Sequence, residues 1–157
     1  MLIYSEKFTD GNLDDSNLFQ DEIYKKFENE LKSLEPTWNH IPSLKEDIQN
    51  IAKDLGFVRG YPVELGVTRA SIQFKFKKIG CNVQLGHKTF FLKDMVHFQH
   101  LYNKQEIKEV LYICFSENAV VKSYSSNLVS FESSLESIKV FKGIFNVPIY
   151  FISLMRD

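Results

Sequence analysis

Gln73, Asn82 and Gln84 fall in the stretch 72–87, which reads as two β-strands meeting at a short turn. Carboxylates in such a frame could hold a hard divalent cation, which typically uses one or two carboxylates with water and phosphate oxygens. The cation would lower the pKa of an attacking water, so acids at those points would serve metal-assisted hydrolysis. Amide oxygens at the same points can ligate but bring no charge. A shifted arrangement keeps one acid: Glu64 stands nine residues before Gln73, with Lys75 two residues after it. Glu64 would be the metal ligand and Lys75 the cation that orients water or stabilises developing phosphate charge. That arrangement requires Glu64 to lie beside Gln73. The plainer alternatives are an exposed Glu64 at a strand end, Lys75 and Lys77 on a solvated strand face, and amides that hydrogen-bond one another and stiffen the hairpin.

The elements that must position these residues follow from periodicity. Leu18, Phe19, Ile23, Phe27, Leu31 and Leu34 recur at helical spacing and predict a helix over about 18–34. Ser43 and Glu46 have capping-box spacing and predict a second helix from Leu44, its stripe being Leu44, Ile48, Ile51, Ala52 and Leu55 and its stop Gly56. The period then changes to two. Residues 57–64 form a strand interrupted by Gly60 and Pro62, and Ala70, Ile72, Phe74 and Phe76 alternate with polar residues as one half-buried face. Gly80 is expected to turn the chain, with 81–85 as the partner strand. A helix over 92–102, a buried strand over 110–115, a helix over about 131–142 and a strand over 147–154 complete the order. Residues 116–134 are Ser-rich and ambiguous. The expected fold class is α/β, a mixed sheet flanked by helices, in one domain over 1–157 with 1–17 as a flexible or edge segment.

Bulk properties narrow the classes. A net charge of −1 over 157 residues argues against a nonspecific basic coat for nucleic acid. A local basic surface is still available from Arg59, Arg69, Lys75, Lys77, Lys78, Lys88 and Lys93, and backbone phosphates are its natural partners. The competing account is a solvated surface compensated by the acidic stretch at 6–22. The two cysteines, Cys81 and Cys114, sit in apolar runs and read as buried thiols, which with the absence of a leader or apolar span points to a cytoplasmic protein with no membrane partner. His97 and His100 could ligate a transition metal with His87 or Cys81, but no fourth ligand has suitable spacing, and partly exposed helix histidines are the plainer reading.

The order of elements and this hairpin resemble the restriction-endonuclease-like PD-(D/E)XK fold, and within it the BglII/BstYI branch of type II restriction enzymes. That branch has an Ile-Asp strand, an acid nine residues later within Glu-Val-Gln-Phe-Gly-Lys or Asn, then aromatics and a helix containing an Asp. Here Ile72-Gln73, then Asn82-Val-Gln-Leu-Gly-His87, then Phe90-Phe91 and Asp94 occupy those points. Asn103-Lys104, the strand 111–115 and Val147-Pro148-Ile149 add to the likeness, which spans roughly residues 40–154. The resemblance implies that the Asp and Glu positions bind Mg²⁺ and that the Gln replaces a catalytic Lys. Gln73 and Asn82 depart from the pattern and Gln84 keeps it. For Asp94, helix capping or a local ion pair is the plainer role.

Three functions follow from the resemblance and its departures. The leading one is a catalytically degenerate nuclease that binds duplex DNA or a protein partner, as a homodimer and with no cofactor. The second is an active Mg²⁺-dependent endonuclease using Glu64, Lys75 and Gln84. The third is a regulatory interaction protein using Phe90-Phe91 or the Ser-rich segment. Little chain remains after Phe115 for loops that read bases, so sequence-specific recognition is not implied.

Overall fold

The computed structural model describes residues 1–9, 17–66, 68–119 and 127–156, without the side chains of Leu65, Thr68 and Arg69. In chain order the elements are β1 (Leu2–Phe8), α1 (Ile23–Ser33), α2 (Ile41–Asp54), β2 (Val58–Leu65), β3 (Thr68–Phe76), β4 (Ile79–Val83), α3 (Thr89–Asn103), β5 (Glu109–Phe115), α4 (Phe131–Val140) and β6 (Ile149–Met155). The six strands form one sheet in the order β1-β6-β5-β4-β3-β2. Pairing is antiparallel at both edges and parallel through β4, β5 and β6, so the expected mixed sheet flanked by helices is what forms. Every residue of β4 and β5 is buried, as parallel strands covered on both faces must be.

Two apolar cores lie on opposite faces. Phe27, Leu31, Leu44 and Ile48 of α1 and α2 pack on Cys81, Val83, Leu111 and Ile113. Phe91, Met95, Phe98 and Ile138 of α3 and α4 pack on Val110, Tyr112, Cys114 and Phe151. The alternation of β5 supplies both, odd residues to one core and even residues to the other. Cys81 and Cys114 are both buried thiols, one in each core.

Several expectations need correction. The N-terminal segment contains a strand that periodicity did not reveal, because β1 is an edge strand with mostly exposed side chains, held by its ladder to β6. Residues 10–16 of that segment, and 120–126 of the Ser-rich one, lie outside the described residues. Helix α1 starts at Ile23, not near 18: Phe19 is left-handed (φ 55°), and the Asp21 side chain accepts from the Ile23 N–H at 3.1 Å. The Phe19 N–H itself donates to the wholly buried Glu109 carboxylate at 2.6 Å. Helix α2 begins at Ile41, with His40 as its cap and Pro42 in its first turn, so the Ser43–Glu46 box does not form. Proline fits there because its missing N–H would have had no helical partner. A capping box occurs instead between Ser130 and Ser133, at the start of α4.

The hairpin turn lies at Lys77–Lys78, with Lys77 left-handed at φ 50°; Gly80 is a strand residue opposite Lys75. Its lack of a side chain answers a close approach: a Cβ there would stand 2.9 Å from the Phe98 ring. Gly80→Ala is expected to overpack this contact and cost about 1–3 kcal/mol, read as a lower urea midpoint with unchanged slope. An unaltered midpoint would show that Phe98 yields freely.

Candidate functional site

The ladder between β3 and β4 runs only from Phe76↔Ile79 to Phe74↔Cys81. Beyond it, side chains take the place of backbone partners. The Gln73 N–H donates to Asn82 Oδ1 at 2.8 Å, and the Val83 N–H donates to Gln73 Oε1 at 3.0 Å. Each amide thus satisfies a main-chain donor near the other, while β4 stays with β5 through Gln84 N–H to the Ile113 carbonyl, 2.8 Å.

The same point is where β3 turns over. Ile72 and Phe74, two apart, would share a face of a regular strand. Yet Ala70 and Ile72 pack into the α3/α4 core, and Phe74 and Phe76 into the α1/α2 core. The single buried face expected for β3 is therefore divided at Gln73. Across the hairpin, the register Arg59↔Phe74 and Tyr61↔Ile72 sets Gly60 opposite Gln73, and its φ of 74° is the conformation glycine adopts most cheaply.

Gln84 is buried and joins a second group. Its Nε2 donates to Asp94 Oδ2 at 3.1 Å, and its Oε1 accepts from the Gly86 N–H at 3.3 Å. The Tyr112 hydroxyl donates to the same Asp94 oxygen at 3.0 Å. Burial, with the Asp94 carboxylate, pushes the Tyr112 phenol up, which keeps it a donor. Asp94 is only 6% exposed. It neither caps its helix nor lies in an ion pair among the described residues, contrary to the plainer expectation for it.

Helix α2 contributes two residues that the sequence did not flag. Gln49 Nε2 approaches Gln73 Oε1 at 3.4 Å, so that oxygen accepts twice. Lys45, one turn earlier, is half-buried; burial lowers its pKa, and the Asp94 carboxylate opposes that shift. Both flank the Leu44–Ile48–Ala52 stripe, and periodicity separates core from surface without marking such borders.

The other expected residues are dispersed. Glu64 pairs in register with Arg69, four positions along β2 from Gly60, or roughly 13 Å at strand rise. Its side chain is 85% exposed and meets Lys104 at 3.7 Å, so the structure does not bring it to Gln73. Lys75 is held over the Tyr61 ring, 4.5 Å from the centroid, which makes it less than the solvated residue expected. Lys77 pairs with Asp21 at 3.1 Å, and Lys78 donates to the Gln105 carbonyl at 2.6 Å, both at the turn end of the hairpin. Arg59 is exposed on β2 near that end, whereas Lys88 and Lys93 are exposed beyond the other end of β4. The Arg69 side chain lies outside the described residues. The basic cluster of the sequence is thus split along the hairpin.

Among the described residues the histidines form no metal site. His97 is buried rather than partly exposed, Cys81 belongs to the opposite core, and His87 Nδ1 lies 2.9 Å from Thr89 Oγ1 at the start of α3. Among the described residues no three His, Cys, Asp or Glu side chains gather as ligands. Phe91 is core, packed edge-on to Tyr112, which leaves only Phe90 of that pair as surface. No helix among the described residues is long and apolar enough to cross a membrane.

Mg²⁺ is the ion associated with this type of site, and the donor set at the hairpin does not suit it. Gln73 Oε1, Asn82 Oδ1 and Gln84 Oε1 are neutral and already accept from protein N–H groups. The one carboxylate of the group, Asp94, is engaged by Gln84 and Tyr112. Neutral amide oxygens that already accept from N–H groups are poorer ligands for a hard dication than carboxylates.

Known proteins share this architecture. The DNA 16-mer complex of restriction endonuclease BglII superposes with a TM-score of 0.78 at 14% identity, over 100% of this chain and 78% of that one. Free BglII gives 0.66 at 16% identity, over 100% and 81%. No curated protein sequence matches the chain. The model of the restriction endonuclease BglII/BglIII family matches residues 4–154. By that match, over nearly its whole length, the chain belongs to the BglII/BglIII restriction endonuclease family.

Proposed function

We propose that this chain is a degenerate member of its family that binds duplex DNA through the phosphate backbone without Mg²⁺ and without cutting it. The bonds that the Gln73 and Asn82 side chains accept from backbone N–H groups carry this reading. They put neutral, engaged amides at the points where the family resemblance calls for metal acids. Without anionic ligands a dication is held weakly, and the attacking water keeps a high pKa. DNA as the ligand is supported by family membership and by the relative crystallised with a DNA 16-mer.

A homodimer belongs to the same reading, supported by the exposed apolar side chains of Leu92 and Val96, one turn apart on α3. The rearranged endonuclease is the weaker alternative, since it needs Glu64 at the hairpin.

A labelled duplex titrated in EDTA and again in Mg²⁺ should give the same affinity, in the range of about 10⁻⁶–10⁻⁴ M at physiological salt, with no strand scission. Cleavage that appears with Mg²⁺ would sink the degenerate reading. Restoring the acids as Gln73→Asp with Asn82→Glu should tighten Mg²⁺ binding on the order of tenfold or more by calorimetry. No gain would show that the amides are not at the metal position. Sedimentation should give a mass twice that of one chain, and Leu92→Glu with Val96→Glu should return it to one.

A further inference from the structure

Two half-buried polar side chains of α2 border the amide cluster. Lys45 and Gln49 are four residues apart and so lie on one face of the helix, next to the core stripe, whereas Glu46, Asn50 and Lys53 point to solvent. Gln49 touches Gln73, and the Asp94 carboxylate acts on the Lys45 ammonium. Lys45, one turn from Gln49 on the same face, therefore borders the amide cluster. Among the described residues, no carboxylate lies within ion-pair distance of Lys45. The Asp94 carboxylate is turned toward Gln84 and Tyr112.

A partly desolvated ammonium with no counter-ion costs stability, and the cost is offset when a ligand supplies the anion. The site thus has an arrangement opposite to that of a metal centre. A metal centre gathers acids and recruits a cation; here the acids are gone, and the cation is a residue of the chain.

We infer that Lys45 is the built-in cation of this site and that, with Gln49 beside it, it holds one backbone phosphate of duplex DNA. A single ammonium attracts a phosphodiester and donates up to three hydrogen bonds to it. It does not polarise a water as a dication does. The residue would then retain the grip of the ancestral site and not its chemistry. The assignment rests on the DNA-binding reading above and adds the residue that performs it.

The test compares the full chain with Lys45→Met, Lys45→Arg and the exposed α1 variant Lys25→Met. Binding of a fluorescent duplex is measured in EDTA from 50 to 200 mM salt. Lys45→Met should bind on the order of tenfold more weakly, and its plot of log affinity against log salt should be shallower by about one. Lys45→Arg should retain the slope, and Lys25→Met should match the unmodified chain. The urea midpoint of Lys45→Met should be unchanged or higher, because a desolvated charge has been removed. Inorganic phosphate should compete only weakly; competition as strong as that of unlabelled duplex would make free phosphate the ligand and overturn the assignment to DNA. Unchanged affinity and slope in Lys45→Met, while the unmodified chain binds DNA, would overturn the role of Lys45 and leave the broader function standing. A lower urea midpoint with unaltered binding would make Lys45 a structural residue. No duplex binding by the unmodified chain would remove both.

Discussion

The organisation of this protein turns on the place where β3 and β4 stop exchanging backbone hydrogen bonds and side chains take over. Buried main-chain donors must find partners, and separating two interior strands leaves some without any. Here the Gln73 and Val83 N–H groups are taken by Asn82 and Gln73 side chains. With those donors satisfied, β3 can roll over at Gln73 and feed one core before that point and the other after it. β4 meanwhile keeps its parallel register with β5. The opening between the strands is what gives α2 access to residues that a flat sheet would have sealed.

The same bonds bear on the exchange of acids for amides. Two carboxylates at the positions of Gln73 and Asn82 would repel one another in a half-buried setting unless a cation sat between them. Amides have no such requirement. They accept from backbone N–H groups while remaining neutral, so the frame needs no bound ion for its electrostatic balance. The hairpin's geometry is held here by hydrogen bonds that need no charge.

Much of this was legible in the sequence, and the exceptions share physical causes. The apolar runs that became β4 and β5, the alternation of β3 and the stripe of α2 are large periodic signals, and they placed the hairpin and its amides. β1 escaped because an exposed edge strand has little burial to advertise, and its ladder partner lies far along the chain. The start of α1 was misplaced because the left-handed Phe19 is fixed by Glu109, a contact across 90 residues. Within the site, the nine-residue spacing picked out Gln73 and Asn82, while Glu64 had the spacing and not the position. Lys45 and Gln49 had no spacing to reveal them, since they reach the hairpin from a different element altogether.

The β1–β6 ladder carries a consequence for how the chain assembles. Its outermost register pairs Leu2 with Met155, and its innermost pairs Phe8 with Ile149. Pairing two strands so far apart in sequence is the non-local kind of contact that slows folding. As the ribosome extrudes the chain, β1 is made well before β6 and must wait for it. Throughout that interval it is an unpaired strand carrying Leu2, Ile3 and Tyr4, and the Glu6 and Lys7 beside them are the charges that discourage it from pairing with a neighbouring chain instead.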